Sequence, residues 1–180
     1  ASYQQPLSGK LIDLYYRDQV LRQLLDEAEK KFGRNTREMQ AYWDFINRED
    51  QRLFEELDAL LKEYGWPARS KVGGQANAAA FLILQHAPLE QQEEFLPLME
   101  ESVKNKESQG SHFAMLYDRV SLRQGKPQRY GTQVDGFGNG QYELPKLEDP
   151  SKVDEWRAEV GLGPLSVYLK RYNITWPPKK

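Results

Sequence analysis

Ala76-Asn77-Ala78-Ala79-Ala80-Phe81-Leu82-Ile83-Leu84-Gln85-His86-Ala87 is apolar on almost every side until its last residues. A helix without a polar face belongs in the middle of a bundle, and its alanines let neighbours approach closely. The segment is therefore expected to form the central helix of an all-α domain. Gln85-His86 place two polar groups at its C-terminal end.

The chain before it reads as two long amphipathic helices. Leu11, Leu14, Leu21, Leu25, Ala28 and Phe32 keep a 3,4 spacing and stop at Gly33. Asn35, with Glu38 three residues later, resembles a capping box that opens a second helix, and Gly65 with Pro67 closes it. The second seam runs Met39, Trp43, Ile46, Leu53, Leu57, Leu60 and Tyr64. Each seam has one acidic slot, Asp18 in the first and Asp50 in the second, where a side chain of the apolar stripe is due.

After the central segment, Pro88 suits the first turn of a helix carrying Phe95, Leu98, Met99 and Val103. Ser111 can cap the next, with Phe113, Leu116, Tyr117 and Val120 inward and an end at Gly125. Asp118 lies off that stripe, near Met115 and Leu122, so this helix is expected to be covered on two sides. From Gly125 to Pro150 nothing is periodic, and Gly136-Phe137-Gly138-Asn139-Gly140 reads as flexible. Ser151 with Asp154 can start a short helix ending at Gly161, and Pro164 a last one with Leu165, Val167, Tyr168 and Leu169. Pro177-Pro178 cannot be helical. The expectation is one domain over 1–180, an irregular bundle of about six helices with loose termini at 1–9 and 174–180. Two long antiparallel helices pack on the Ala76 to Ala87 helix, and a long polar loop after the fifth helix closes one end.

The totals narrow the function. With 29% charged residues, 39% hydrophobic residues and a formal net charge of −2, the chain is neither a disordered acidic tail nor a basic nucleic-acid binder. No cysteine occurs, which removes thiol nucleophiles, disulfides and iron–sulfur clusters. No apolar run approaches the roughly 20 residues of a membrane-spanning helix. Ala1-Ser2-Tyr3 carries no basic or apolar leader, as at a cut boundary or a mature end left by a signal peptidase.

Two constellations carry possible chemistry. Asp18, Asp50, His86 and Asp118, one from each of four helices, are the residue types of a metal site inside a bundle. No Glu-x-x-His motif accompanies them, and with two histidines a three-His zinc site is excluded. The simpler reading has each buried Asp accepting hydrogen bonds from Arg22, Arg119, tyrosines or backbone groups. No metal ligand set is assigned, and the cofactor is left open.

The second constellation joins Gln85-His86, Asp118-Arg119 and the hexapeptide Gln128-Arg129-Tyr130-Gly131-Thr132-Gln133. His86 and Asp118 are the candidates for acid–base work. Gln85, Arg119, Gln128, Tyr130, Thr132 and Gln133 are the candidates for holding a carboxylate, phosphate or amide. The structural alternative is a buried polar network pinning an irregular loop to the helices, with Gly131 supplying a backbone conformation that other residues resist.

An ordered set of motifs carries a resemblance: Gly65-Trp66-Pro67 with Ser70 and Val72-Gly73, Gln85-His86-Ala87, Asp118-Arg119, Gln128 with Tyr130-Gly131-Thr132-Gln133, Arg157, Gly161-Leu162 and Pro164-Leu165. Over about Asp50 to Tyr168 the chain resembles an uncharacterised bacterial domain-of-unknown-function family. That pattern has paired arginines where this chain has Trp156-Arg157. The resemblance implies relatives, some with signal peptides and hence exported, and brings no reaction. Three functions stay open: a protein whose polar pocket holds a small polar ligand or a peptide partner; a hydrolase or transferase using His86, with or without a metal; and a purely structural polar network.

Overall fold

The computed structural model describes residues 5–137 and 140–177. The Ala1 to Tyr3 start, Gly138-Asn139 of the glycine-rich segment and the Pro178 to Lys180 end lie outside the described residues. The protein is essentially all-α, and its chain divides into two compact units, Ala1–Leu98 and Met99–Lys180.

In the first unit, α1 (Gln5–Phe32) and α2 (Arg37–Tyr64) form a helical hairpin. Their pairing is antiparallel: Arg17 meets Glu56, Arg22 meets Asp50, and the Tyr42 hydroxyl donates to the Leu21 carbonyl, so early α1 lies beside late α2. Thr36, one residue after the expected Asn35, caps α2; its Oγ1 accepts from the Met39 N–H at 3.3 Å. Gly33 (φ 81°) and Gly65 (φ 72°) take the left-handed backbone that ends the two helices, as the sequence predicts.

A four-residue helix, α3 (Arg69–Val72), is the element the sequence does not announce. It is held by tertiary bonds, with the Ser8 hydroxyl donating to the Val72 carbonyl at 2.7 Å. Next, α4 (Gly74–Leu84) packs on α1, α2 and α3. Ala76, Ala79, Ala80, Phe81, Ile83 and Leu84 are all buried, which fits a helix with no polar face. Its C-terminal carbonyls are satisfied by a residue beyond the turn: the buried Gln92 amide donates to Leu84 O at 3.1 Å and Gln85 O at 2.8 Å. Gln92 belongs to α5 (Leu89–Lys104), which crosses the division between the units.

Five of the apolar residues expected on these helices, Phe32, Trp43, Tyr64, Leu98 and Val167, are exposed. Tyr42, half-buried with its hydroxyl bonded, takes the inward place that the 3,4 count gives to Trp43.

In the second unit, α6 (Gly110–Arg123) begins one residue before the predicted Ser111 cap, with Gln109 at the cap and no side-chain capping bond. A Cβ at Gly110 would meet the Val160 carbonyl oxygen at 2.8 Å, so close packing on another segment locates this helix start. The stretch after α6 is ordered by a two-residue hairpin, β1 (Asp135–Gly136) with β2 (Tyr142–Glu143), and by a parallel bridge between Gln128 and Leu147. Two short helices follow, α7 (Val153–Glu159) and α8 (Leu165–Leu169), then a 3-10 turn (Lys170–Tyr172). Leu147, Val153, Leu165 and Leu169 make a buried cluster, flanked by Val134, Leu144 and Trp176. Among the described residues no helix is long and apolar enough to cross a membrane.

The two acidic slots of the first unit face each other across the hairpin, and Arg22 lies between them. Asp18, 1% exposed, accepts from the Gln19 amide at 2.7 Å and from Arg22 at 3.4 Å, while the same Arg22 Nη2 donates to Asp50. Burial pushes the Asp18 carboxyl above the ordinary range; the Gln19 and Arg22 contacts oppose it, and the Asp50 charge adds to it. An acid raised in the folded state stabilises it fully below its unfolded value of 3.8 and loses that contribution as pH rises through the higher folded value. Arg22→Ala removes an opposing charge and leaves two carboxylates facing each other. Urea unfolding should show a loss of about 1–3 kcal/mol at pH 7 that shrinks steadily toward pH 4. A loss independent of pH would contradict the charge argument.

Candidate functional site

Asp118 is 0% exposed and stands in the middle of α6. Its two oxygens accept four hydrogen bonds. Oδ1 takes the backbone N–H groups of Arg129 at 2.8 Å and Tyr130 at 3.0 Å; Oδ2 takes the N–H and the hydroxyl of Thr132, each at 2.9 Å. Four donors and no acceptor fit the ionised carboxylate, which can only accept. Burial nonetheless drives its pKa upward overall, with the Tyr130, Thr132 and Arg129 donors pulling against it.

Three N–H groups of one short loop can converge on one carboxylate because the chain turns sharply between Tyr130 and Thr132. Gly131 supplies that turn with φ 62°. It also lies against α8, where a Cβ would come within 2.9 Å of a Leu165 methyl.

Gln128 braces the same loop from inside. Its Oε1 accepts from the Gln133 N–H at 3.0 Å, and its Nε2 donates to Gln133 O at 3.1 Å and Pro145 O at 3.2 Å. Tyr130 puts its ring edge-on to Phe113 and Tyr117, at centroid distances of 6.4 and 5.7 Å. The Thr132 carbonyl accepts from the Tyr168 hydroxyl at 2.7 Å, and burial holds that phenol well above its usual range. The Gln133 amide donates to the Thr132 hydroxyl at 3.1 Å.

Two arginines outside the sequence-derived site set complete the surroundings. Arg129 lies over the Tyr117 and Trp156 rings, 5.1 and 5.2 Å from their centroids, and forks onto Glu148 at 2.9 and 3.0 Å. Arg157, 3% exposed, donates from Nε to the Gly163 carbonyl at 2.6 Å and from Nη1 to the Tyr130 carbonyl at 2.7 Å. Its position inside a short, charged helical segment gives the sequence no sign that it is buried; only the packing of α7 against the loop and α8 shows that.

A cavity of about 230 Å³ opens beside this network, with Thr132, Arg157, Tyr168 and Arg171 among its walls and Met115 and Val167 as apolar lining. A larger space of about 750 Å³, bounded by Leu144, Leu147, Pro150, Trp176 and Pro177, has less specific chemistry. Its Asp154 carboxylate is occupied in accepting the Leu165 N–H at 2.7 Å.

Of the predicted site residues, Asp118, Gln128, Tyr130, Thr132 and Gln133 come together in the second unit, joined by the bonds above. Arg119 follows on α6, where burial and then Arg123 hold its guanidinium below its ordinary value. Gln85 and His86 lie in the turn after α4, in the first unit, with Gln85 partly buried and His86 exposed. The Gln85 carbonyl is one of the acceptors of Gln92. Among the described residues no three His, Asp or Glu side chains group to hold a metal ion. Asp18 and Asp50 have the Arg22 guanidinium between them instead.

These features define an all-α protein whose second unit carries a buried loop folded around one carboxylate, with a small cavity at its edge. The sequence matches the family described as Family of unknown function (DUF6624) over residues 5–177, and the chain belongs to that family. Comparison with curated proteins and with solved structures returns no match.

Asp118→Ala strips the acceptor from three backbone N–H groups at once. Each orphaned buried donor costs about 1–3 kcal/mol, so denaturant unfolding should register a loss of about 3 kcal/mol or more. Gly131→Ala meets both the positive φ and the Leu165 methyl and should cost about 1–3 kcal/mol. A thermal midpoint equal to the parent's in either variant would show that the loop does not depend on this arrangement.

Proposed function

We propose that this protein binds a small polar ligand in the cavity beside the Gln128 to Gln133 loop. The observation that carries the reading is that Thr132 and Arg157, both fixed by the network around Asp118, are walls of one cavity. Binding sites work best when their polar groups are held before the ligand arrives, and here hydrogen bonds hold both groups. In this reading Asp118, Gln128 and Tyr130 are positioning residues, and Thr132, Arg157 and Arg171 face the ligand. The competing reading is a hydrolase or transferase with His86 as acid or base.

A thermal-shift screen of small polar metabolites, followed by amide NMR titration of each hit, tests the proposal. Hits should move the resonances of Thr132, Gly163 and Tyr168. Val167→Trp, at a position 58% exposed and therefore tolerant of a large side chain, should block the cavity and abolish those shifts. His86→Ala should leave them unchanged. Hits that perturb other regions and ignore the tryptophan would dispose of the proposal.

A further inference from the structure

We infer that the ligand of this cavity is a small carboxylic acid, bound by its carboxylate on Arg157 with its hydrocarbon part against Met115, Leu162 and Val167; this rests on the cavity being the binding site. Arg157 carries the argument. A guanidinium has five N–H donors, and the described residues occupy one at Nε and one at Nη1, both on neutral carbonyls. The remaining three have no protein acceptor among the described residues, and the side chain is a wall of the cavity.

No carboxylate among the described residues contacts it to match its charge. The two carboxylates that act on it electrostatically are Asp154 and Asp118. Asp154 Oδ1 accepts the Leu165 N–H, and both Asp118 oxygens hold the loop. Neither makes an ion pair with Arg157. Besides the two carbonyls, one face of the guanidinium lies over the Tyr168 ring, 5.3 Å from its centroid. A buried cation with these neutral partners and no contacting carboxylate remains costly, and an anion entering at its edge recovers part of that cost.

The form of the anion follows from the donors. The free N–H groups lie in one guanidinium plane, which matches the two oxygens of a planar carboxylate. The nearby Thr132 N–H and hydroxyl both donate to Asp118, and the Tyr168 hydroxyl donates to the Thr132 carbonyl, so little remains to surround a tetrahedral phosphate. Arg171 adds a second, exposed positive charge at the wall. At about 230 Å³ the cavity is below the roughly 300–1,000 Å³ of sites for drug-sized ligands, which restricts the acid to a short one.

The test compares 3-methylbutanoate, its neutral amide 3-methylbutanamide, and inorganic phosphate by NMR titration of the full chain. The carboxylate should bind about tenfold or more tightly than the amide, as expected for hydrogen bonds to a charged group, and more tightly than phosphate. Arg157→Lys keeps the charge and loses the fork, and should weaken the acid about tenfold while leaving the amide unchanged. Because Arg157 also holds two backbone carbonyls, Arg171→Ala serves as a second variant that keeps the core intact; it should weaken the acid alone. Equal binding of amide and acid in the cavity overturns the inference and leaves the cavity's role standing. Tighter binding of phosphate overturns the carboxylate assignment. No response of Thr132, Gly163 or Tyr168 to any of the three overturns the inference, and absence of library hits there as well removes the binding role.

Discussion

The second unit depends on a single carboxylate. Asp118 lies in the middle of α6, and residues Arg129 to Gln133 after that helix belong to no strand or helix in which to bond their amides. Buried backbone N–H groups must find acceptors. Asp118 supplies one for Arg129, Tyr130 and Thr132 together, so an irregular segment can be buried without a regular ladder. Everything beside the cavity follows from that. Tyr130 offers its carbonyl to Arg157, Thr132 offers its carbonyl to Tyr168, and Gly131 lets α8 approach.

The chain solves the problem of a buried carboxylate in two ways. Between α1 and α2, Asp18 and Asp50 share one guanidinium, and the charge of one acts against the ionisation of the other. At Asp118 the donors are backbone amides and a hydroxyl, with no contacting cation. The first arrangement ties two helices in register. The second fixes the course of a loop, and leaves the nearest buried cation, Arg157, without an ion-pair partner among the described residues. That imbalance is a property of the pair: Asp118 takes the N–H side of the Tyr130 residue and Arg157 takes its carbonyl, so opposite charges are separated by the backbone they both hold.

Much of the architecture was legible in residue order. The nearly unbroken apolar circumference of Ala76 to Leu84, interrupted by Asn77, predicts a central helix, and α4 is packed on α1, α2 and α3. The 3,4 spacings and the stops at Gly33 and Gly65 locate the hairpin helices because period and left-handed termini are local properties. Part of the candidate site was legible too: a hexapeptide rich in amides and hydroxyls stands out when no periodicity claims it, and Asp118 stands out as a charge near a buried face. Trp43 and Tyr64 are exposed while Met39, Ile46, Leu57 and Leu60 of the same counted stripe are buried: spacing defines a face, and the neighbouring segments decide which of its residues are covered.

By itself, then, the sequence determined an all-α chain, its long helices, the acidic slots at Asp18 and Asp50, and the identity of the polar loop. Only the tertiary structure decided what those polar groups do. Gln92 caps α4 across a turn, Val160 sits where a Cβ of Gly110 would go, and Arg157 reaches the Tyr130 carbonyl across 27 positions of sequence. The physical reason is range. Helix period and capping depend on neighbours three or four residues away, whereas a hydrogen bond to a buried carbonyl depends on which distant segments the apolar core brings within 3 Å.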